Sequence, residues 1–242
     1  MNINNEHIEN YYDDFFTKSI NQIVNERHLK LVSLLKKNGL RHNAQILELG
    51  CGSGTCTKLI ANKLSNQGAI EAVDISSKTI EYLNSKNKAS NISFFQGDIT
   101  LYKPKLKQLH FILLFDIIEH IPLDKHELLF NHLAKISGKD TKILINIPNP
   151  DYTVYDRKHQ PELLQLIDET IYLPFLAQLV DKNDLKISHF EELSIWAKND
   201  YHFYVVEQKK EFIEIKLQDE RSFSEKIINK FKRIFYSIKY KN

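Results

Sequence analysis

The residues most suited to chemistry are an acid and three glycines that follow an apolar run. Glu48 precedes Gly50, Gly52 and Gly54, which are spaced G-x-G-x-G. Glycines at a strand-to-helix turn let the backbone approach a nucleotide-like ligand closely. A carboxylate at this turn attracts a cationic ligand and repels a pyrophosphate. Thr55 also stands where a dinucleotide fingerprint has its third glycine or alanine, so a dinucleotide is disfavoured.

Two further acids follow the next apolar runs. Asp74 ends the second run, where a carboxylate can bind both hydroxyls of a ribose, and Ile75 beside it can pack on adenine. Asp98, after the third run, can accept a hydrogen bond from the adenine amino group. Open α/β sheets bind their ligands at the carboxyl ends of strands, where all these residues lie. Because Glu48 also supplies a carboxylate suited to a cationic ligand, this set of residues favours S-adenosylmethionine.

A third cluster follows the fourth apolar run as Asp116, Glu119 and His120. If a helix starts here, Asp116 shares a face with Glu119 or His120. Methyl transfer from a sulfonium is an in-line displacement, which needs alignment and often removal of a proton. Histidine titrates nearest neutrality, so His120 is the predicted general base. We predict no metal, but the alternative that the three residues bind Mg²⁺, Mn²⁺ or Zn²⁺ stays open.

Short apolar runs alternate with amphipathic stretches along most of the chain, which indicates parallel strands joined by helical crossovers. The predicted fold is α/β, a doubly wound and mostly parallel seven-stranded sheet, with a helical insertion after the fifth strand and a C-terminal helix. The predicted strands are Ala44–Leu49, Ala69–Val73, Ile92–Gln96, Leu109–Phe115, Thr141–Ile147, Leu185–Ile195 and His202–Glu207.

The chain divides into three predicted regions. Residues 1–40 form an N-terminal helical cap, and residues 41–208 form the ligand-binding domain. This domain contains a substrate-facing insertion at about 149–181, in which Pro161–Val180 is predicted to be helical with an interruption at Pro174. Residues 209–242 form a basic extension.

Composition excludes some functions and leaves others open. The formal net charge of +2 over 242 residues does not demand a nucleic-acid partner. Cys51 and Cys56 lie in or just after the glycine loop, where free thiols in a reducing compartment are expected. No signal peptide or membrane span is expected, so the predicted location is cytoplasmic.

The tail from Ser222 to Asn242 carries six basic residues and one acidic residue. Its apolar residues recur at helical spacing, which predicts a basic amphipathic helix. Such a helix could lie on an anionic membrane, or pack on the domain or on a second copy of the chain as a homodimer. The apolar stripe comprises Ile227, Phe231, Ile234, Phe235 and Ile238.

These motifs together resemble those of the Rossmann-like (class I) S-adenosylmethionine-dependent methyltransferases. Glu48–Gly54 is similar to the first motif of this family, and Phe115–Pro122 to the motif after the fourth strand. Tyr11, in Tyr11-Tyr12-Asp13, resembles part of a segment that folds over the cofactor in many members. The implied S-adenosylmethionine-binding residues are Tyr11, Glu48, Gly50, Cys51, Gly52, Gly54, Asp74, Ile75, Asp98, Ile99 and Phe115.

The resemblance places the acceptor pocket after the fifth strand, at Tyr152, Tyr155, Arg157 and His159. The insertion is faintly similar to bacterial methyltransferases that act on glycans of surface polysaccharides. We therefore expect O-methylation of a small molecule or a sugar.

Other functions stay open at this point. Asp-x-x-Glu-His resembles the metal motif Glu-x-x-Glu-His of ubiquinone-pathway O-methyltransferases and small-RNA 2′-O-methyltransferases, although its first acid differs. An RNA 2′-O-methyltransferase with a divalent metal is thus one alternative, although Asp116 and Glu119 would repel RNA unless the metal offsets their charge. A non-catalytic protein that binds S-adenosylmethionine and serves a partner is another.

Overall fold

The computed structural model describes residues 5–19, 23–65, 67–214 and 221–240. The chain forms two compact units, residues 1–209 and residues 210–242. The first unit contains a seven-stranded sheet with strand order β3-β2-β1-β4-β5-β7-β6. The strands are β1 (Gln45–Leu49), β2 (Ala69–Asp74), β3 (Ile92–Gln96), β4 (Phe111–Phe115), β5 (Lys142–Pro148), β6 (Leu185–Leu193) and β7 (Tyr201–Gln208).

Helices cover both faces of this sheet. Buried side chains of α2, α3 and α4 belong to one hydrophobic core cluster, and those of α5 and α7 to a second. The helices of the first unit are α1 (Asn5–Ser19), α2 (Glu26–Lys37), α3 (Thr55–Ala61), α4 (Ser77–Lys86), α5 (His126–Ile136), α6 (Pro150–His159) and α7 (Leu173–Lys182).

The predicted fold class is confirmed. Strands β1 to β5 pair in parallel, and β7 joins antiparallel between β5 and β6. All five side chains of β4 are buried, as expected for a strand covered on both faces. Crossovers between parallel strands bring their carboxyl ends to one edge of the sheet, where the predicted site residues lie.

Two local predictions were wrong. Pro161–Val180 is not one interrupted helix, because only Pro161–Leu163 forms a short 3₁₀ helix before α7 begins at Leu173. Pro174 stands in the first turn of α7, where its missing N–H costs nothing, so it starts the helix rather than interrupting it. The residues between are irregular, and Ile167 and Ile171 bury their side chains against the domain.

The second unit contains α8 (Phe223–Lys239). The Ser222 hydroxyl accepts a hydrogen bond from the Glu225 backbone N–H, and the Glu225 carboxylate accepts one from the Ser222 N–H in return. This capping box fixes where the helix begins. Among the residues that the structure describes, no helix combines the length and apolarity needed to cross a membrane.

Candidate active site

A cavity with two chambers opens at the carboxyl ends of the parallel strands. The larger chamber has a volume of about 520 Å³ and the smaller one about 90 Å³. Both are lined by Tyr12, Gly50, Asp74, Ile117 and His120. These shared walls make them two parts of one site.

The glycine loop forms the floor of the cavity. Gly50, Gly52 and Gly54 have φ angles of +78°, +48° and +69°, values that other residues rarely adopt. A Cβ at Gly52 would meet no atom within 4 Å, so the backbone there faces open space. The Asp74 carboxylate accepts hydrogen bonds from Gly52 N–H at 2.8 Å and Ser76 N–H at 3.0 Å, which ties the loop to the end of β2.

Replacing Gly50 by alanine should destabilise the chain by about 1–3 kcal/mol. The new Cβ would lie 2.5 Å from the Ile117 side chain and would sit at an unfavourable φ. Chemical denaturation measures the loss. The matched control is Gly138→Ala, where the nearest atom to the new Cβ is a Thr141 oxygen at 3.4 Å. An equal effect at both positions would contradict the packing argument.

Glu48 is a buried carboxylate beside this loop. It lines the larger chamber, and its Oε2 has no hydrogen-bond partner. Burial raises the pKa of Glu48 to about 7; the neighbouring Asp74 also raises it, and the nearby Thr57 hydroxyl acts in the opposite direction. An unpartnered buried carboxylate is suited to binding a cation, which would restore its ionised form.

The smaller chamber is mostly apolar. Ile75 and Ile99 line it, as does Asp98, whose carboxylate accepts hydrogen bonds from the Thr100 N–H at 2.9 Å and hydroxyl at 2.7 Å. Two apolar side chains and a fixed carboxylate are suited to a flat heterocycle with an amino group. Cys51 and Phe115 line the larger chamber instead.

Helix α1 contributes Tyr12 to the cavity, whereas Tyr11 lines neither chamber. Tyr12 thus occupies the place on the cavity wall that was expected of Tyr11: on a helix, neighbouring residues point about 100° apart, and Tyr11 stacks on Phe15. Asp13 fastens this helix to the start of α4. Its carboxylate accepts hydrogen bonds from the Ser76 hydroxyl at 2.6 Å, the Ser77 hydroxyl and the Lys78 N–H.

Replacing Asp13 by alanine should weaken binding of S-adenosylmethionine about tenfold, because α1 loses its attachment and Tyr12 its position. Burial alone would raise the pKa of Asp13, but its hydrogen bonds outweigh burial and hold the pKa below the usual range. Calorimetric titration measures the affinity. Asp14→Ala is the control, since the Asp14 carboxylate lies 3.7 Å from Lys78 at an exposed ion pair. Equal losses at both positions would contradict the role of Asp13.

Asp116 ends β4 with φ +54°, a value uncommon for residues other than glycine. Its carboxylate pairs with Arg27 of α2 at 3.0 Å and accepts a hydrogen bond from Asn146 at 3.3 Å. Burial raises the pKa of Asp116, and Arg27 opposes this. The helical face predicted for Asp116, Glu119 and His120 is wrong, because only Ile118–His120 forms a 3₁₀ turn.

His120 is held by both ring nitrogens. Its Nδ1 lies 2.7 Å from the Ile167 carbonyl oxygen and 3.4 Å from an Asp168 carboxylate oxygen. A carbonyl only accepts hydrogen bonds, so Nδ1 carries the proton. In the neutral ring, Nε2 then presents its lone pair, which accepts a hydrogen bond from the Gln165 amide at 3.1 Å. This is the tautomer that a general base on the cavity wall requires.

Sequence patterns missed Arg27, Gln165 and Asp168 as members of the site. Gln165 and Asp168 lie in the irregular segment before α7, where the predicted helix hid them. Arg27 lines the larger chamber from α2, with no motif around it. The burial of an arginine in the first turn of a helix would have been the only signal for Arg27. The sequence at a single position does not reveal whether a side chain is buried.

Glu119 lies behind the cavity wall and lines neither chamber. Both carboxylate oxygens are buried without a hydrogen-bond partner. Burial raises the pKa of Glu119 well above its ordinary value, and Asp116 raises it further. These surroundings favour the neutral form of the Glu119 carboxyl group.

The four residues predicted for the acceptor pocket lie on α6, and none lines either chamber. Tyr155 stacks on Tyr152 and His159. Arg157 donates hydrogen bonds to the Asp168 carbonyl at 2.6 Å and the Thr170 hydroxyl at 3.0 Å. Helix α6 thus supports the segment that reaches the cavity, and this corrects the direct assignment of its side chains. Within the described ranges, no three His, Cys, Asp or Glu residues are placed to bind a metal ion.

Comparison with known proteins identifies the domain. The profile of a family described as "Methyltransferase domain" matches residues 46–139, which include the glycine loop, Asp74 and His120. Residues 46–139 of this chain are therefore similar to a methyltransferase domain. This similarity agrees with the predicted cofactor, S-adenosylmethionine, which would supply an electrophilic methyl group when bound. The unpartnered oxygen of Glu48 and the open backbone at Gly52 fit this cofactor.

Curated relatives match part of the chain. The malonyl-[acyl-carrier protein] O-methyltransferase of Priestia megaterium is 34% identical over 97 residues, 39% of this chain and 32% of that protein. A second, from Ilyobacter polytropus, is 30% identical over 107 residues, 44% of this chain and 38% of its own. The chain therefore matches less than half the length of these relatives.

Solved structures share the fold. The magnesium protoporphyrin IX methyltransferase of Synechocystis PCC 6803, with bound SAH, has a TM-score of 0.67 at 13% identity and covers 85% of this chain and 100% of its own. An S-adenosylmethionine-dependent methyltransferase of Anabaena variabilis has a TM-score of 0.65 at 17% identity and covers 84% and 95%. At such identities the likeness extends to the fold alone.

Proposed function

We propose that this protein transfers a methyl group from S-adenosylmethionine to a hydroxyl of a small molecule or a sugar. The observation that carries the proposal is His120 on the cavity wall, whose Nδ1 donates to the Ile167 carbonyl and whose Nε2 accepts a hydrogen bond from Gln165. A hydroxyl must lose its proton as it attacks carbon, so a base positioned on the cavity wall serves this acceptor. A carboxylate acceptor is already ionised and needs no base.

The charges around the cavity favour a neutral acceptor. Glu48, Asp74 and Asp116 line the larger chamber, and the guanidinium of Arg27 is paired with Asp116. Among the residues that the structure describes, an anionic acceptor would meet acids and no unpaired arginine in this chamber, and like charges repel more strongly away from water. This differs from the carboxylate acceptor that the names of the malonyl-[acyl-carrier protein] relatives imply for those proteins.

Within this proposal, Gln165 and Asp168 orient His120. Asp168 lies beside the protonated Nδ1 and, with the Ile167 carbonyl, fixes the orientation of the ring. Gln165 donates to Nε2 and would yield this position to the acceptor hydroxyl. A glycan acceptor remains part of the proposal through the resemblance of residues 149–171 to glycan-modifying methyltransferases.

The test is calorimetry with S-adenosylmethionine followed by an acceptor screen that measures formation of S-adenosylhomocysteine. Neutral sugars and phenols should be methylated in preference to malonyl thioesters, and short RNA should be inactive. Turnover only with carboxylate acceptors would overturn the proposal. Binding without turnover on any acceptor would favour a non-catalytic partner protein.

The metal-dependent RNA alternative has a direct test. Activity that survives exhaustive chelation would exclude a required divalent cation, and Arg27 beside Asp116 already competes for that carboxylate. Methylation of an RNA 2′-hydroxyl that is lost with the metal and restored by Mg²⁺ or Mn²⁺ would instead establish the alternative.

A further inference from the structure

We propose that α8 binds the surface of anionic membranes, lying in the plane of the lipid headgroups. The helix spans Phe223–Lys239 within the unit of residues 210–242. This inference is independent of the acceptor, because it rests only on the faces of one helix.

One face of α8 is continuously apolar. At about 100° per residue, seven large apolar side chains fall within an arc of roughly 140°. All are solvent-exposed, from 39% at Ile227 to 80% at Phe223. A face of this size is costly in water, and the headgroup–acyl boundary of a bilayer would remove it from water. Its members are Phe223, Ile227, Ile228, Phe231, Ile234, Phe235 and Ile238.

Basic side chains border this face on both sides. Lys226, Lys230 and Arg233 lie along one side, and Lys232 and Lys239 along the other. Their long stems can follow the apolar surface while the charged ends reach lipid phosphates. The sole acid of the helix, Glu225, is engaged with Ser222 at the first turn. A surface that complements α8 must therefore be negatively charged along the whole length of the helix.

This charge pattern selects a lipid surface over a second copy of the chain. Two α8 helices packed through their apolar faces would bring the bordering lysines of each close to those of the other, and like charges repel. An anionic bilayer presents phosphates on every side of the buried face. A chain bound there would meet acceptors attached to lipids. This follows from the proposal and is not used to support it.

The experiment is sedimentation of the full chain with vesicles of phosphatidylcholine alone or mixed with phosphatidylserine. We expect strong partitioning only to the mixed vesicles, and a decrease as salt is raised. Joint replacement of Lys226, Lys230 and Arg233 by glutamine should weaken partitioning about a hundredfold. Binding of S-adenosylmethionine should be the same in both proteins.

A pair of tryptophan variants reports which face enters the lipid. Phe231→Trp lies at the centre of the apolar face and Asn229→Trp nearly opposite. With mixed vesicles, emission should shift to shorter wavelength in Phe231→Trp and stay unchanged in Asn229→Trp, after subtraction of the Trp196 background. No partitioning of the wild type at low salt would overturn the proposal. A homodimer that Phe231→Asn dissociates, with no vesicle binding, would assign the face to a second copy.

Discussion

Methyl transfer by a His120→Gln variant should be between a hundredfold and ten-thousandfold slower than that of the wild type. Glutamine keeps a polar side chain on the cavity wall but cannot take the acceptor proton. Affinity for S-adenosylmethionine should stay within about threefold, because Glu48, Asp74 and the glycine loop are unchanged. The measurement is the rate of S-adenosylhomocysteine formation with the acceptor found by the screen, beside a calorimetric titration of the cofactor.

Two further variants test whether the loss of rate comes from the loss of proton transfer. In His120→Ala, added imidazole should restore part of the lost rate, since the vacated space borders both chambers. His189→Gln, an exposed residue of β6, should have the rate of the wild type. A His120→Gln protein that methylates its acceptor at the normal rate would remove His120 from the mechanism.

The second large effect concerns the buried carboxylate at the glycine loop. A Glu48→Gln variant should bind S-adenosylmethionine roughly ten to a hundred times more weakly, since a charge-assisted interaction with the cationic ligand is lost. In the wild type, affinity should rise about tenfold from about pH 6 to about pH 8, because the pKa of Glu48 is raised to about 7 and only the anion attracts a cation. The variant should show no such rise.

Stability without cofactor should change in the opposite direction with pH. The folded state holds the Glu48 proton more tightly than the unfolded state does. Its contribution to the free energy of unfolding is therefore greatest below the ordinary glutamate pKa and is lost as pH rises through about 7. Thermal melts of the wild type and Glu48→Gln across this range measure the difference. Glu81→Gln, an exposed change on α4, is the control, and a pH dependence unaltered by Glu48→Gln would contradict this account.

Motifs that depend on neighbours in sequence were readable without the structure. The glycine loop, Asp74 and Asp98 each follow an apolar run, and parallel strands bring their carboxyl ends to one edge. The fold class and the cofactor followed from this local order. Strand ends were close to those observed because buried strands read as continuous apolar runs.

Residues that reach the site across long sequence separations were not readable. Arg27 pairs with Asp116 from 89 positions away, and Asp168 approaches His120 from 48 positions away. Tyr12 lines the cavity and Tyr11 does not, because the hydrogen bonds of Asp13 to Ser76 and its neighbours set the rotation of α1. Residues of α6 were assigned to the acceptor pocket by position along the chain, whereas packing turned them away from it.

The sequence by itself determined the order of the strands along the chain, the glycine loop and the acids that follow it, because each depends on local backbone geometry and periodicity. Only the tertiary structure decided which nitrogen of His120 carries the proton, since that depends on the Ile167 carbonyl, a contact between distant segments. It also decided that Glu48 is buried deeply enough to raise its pKa to about 7. Desolvation depends on how the interior is packed, so the sequence does not show how strongly a given carboxylate is desolvated.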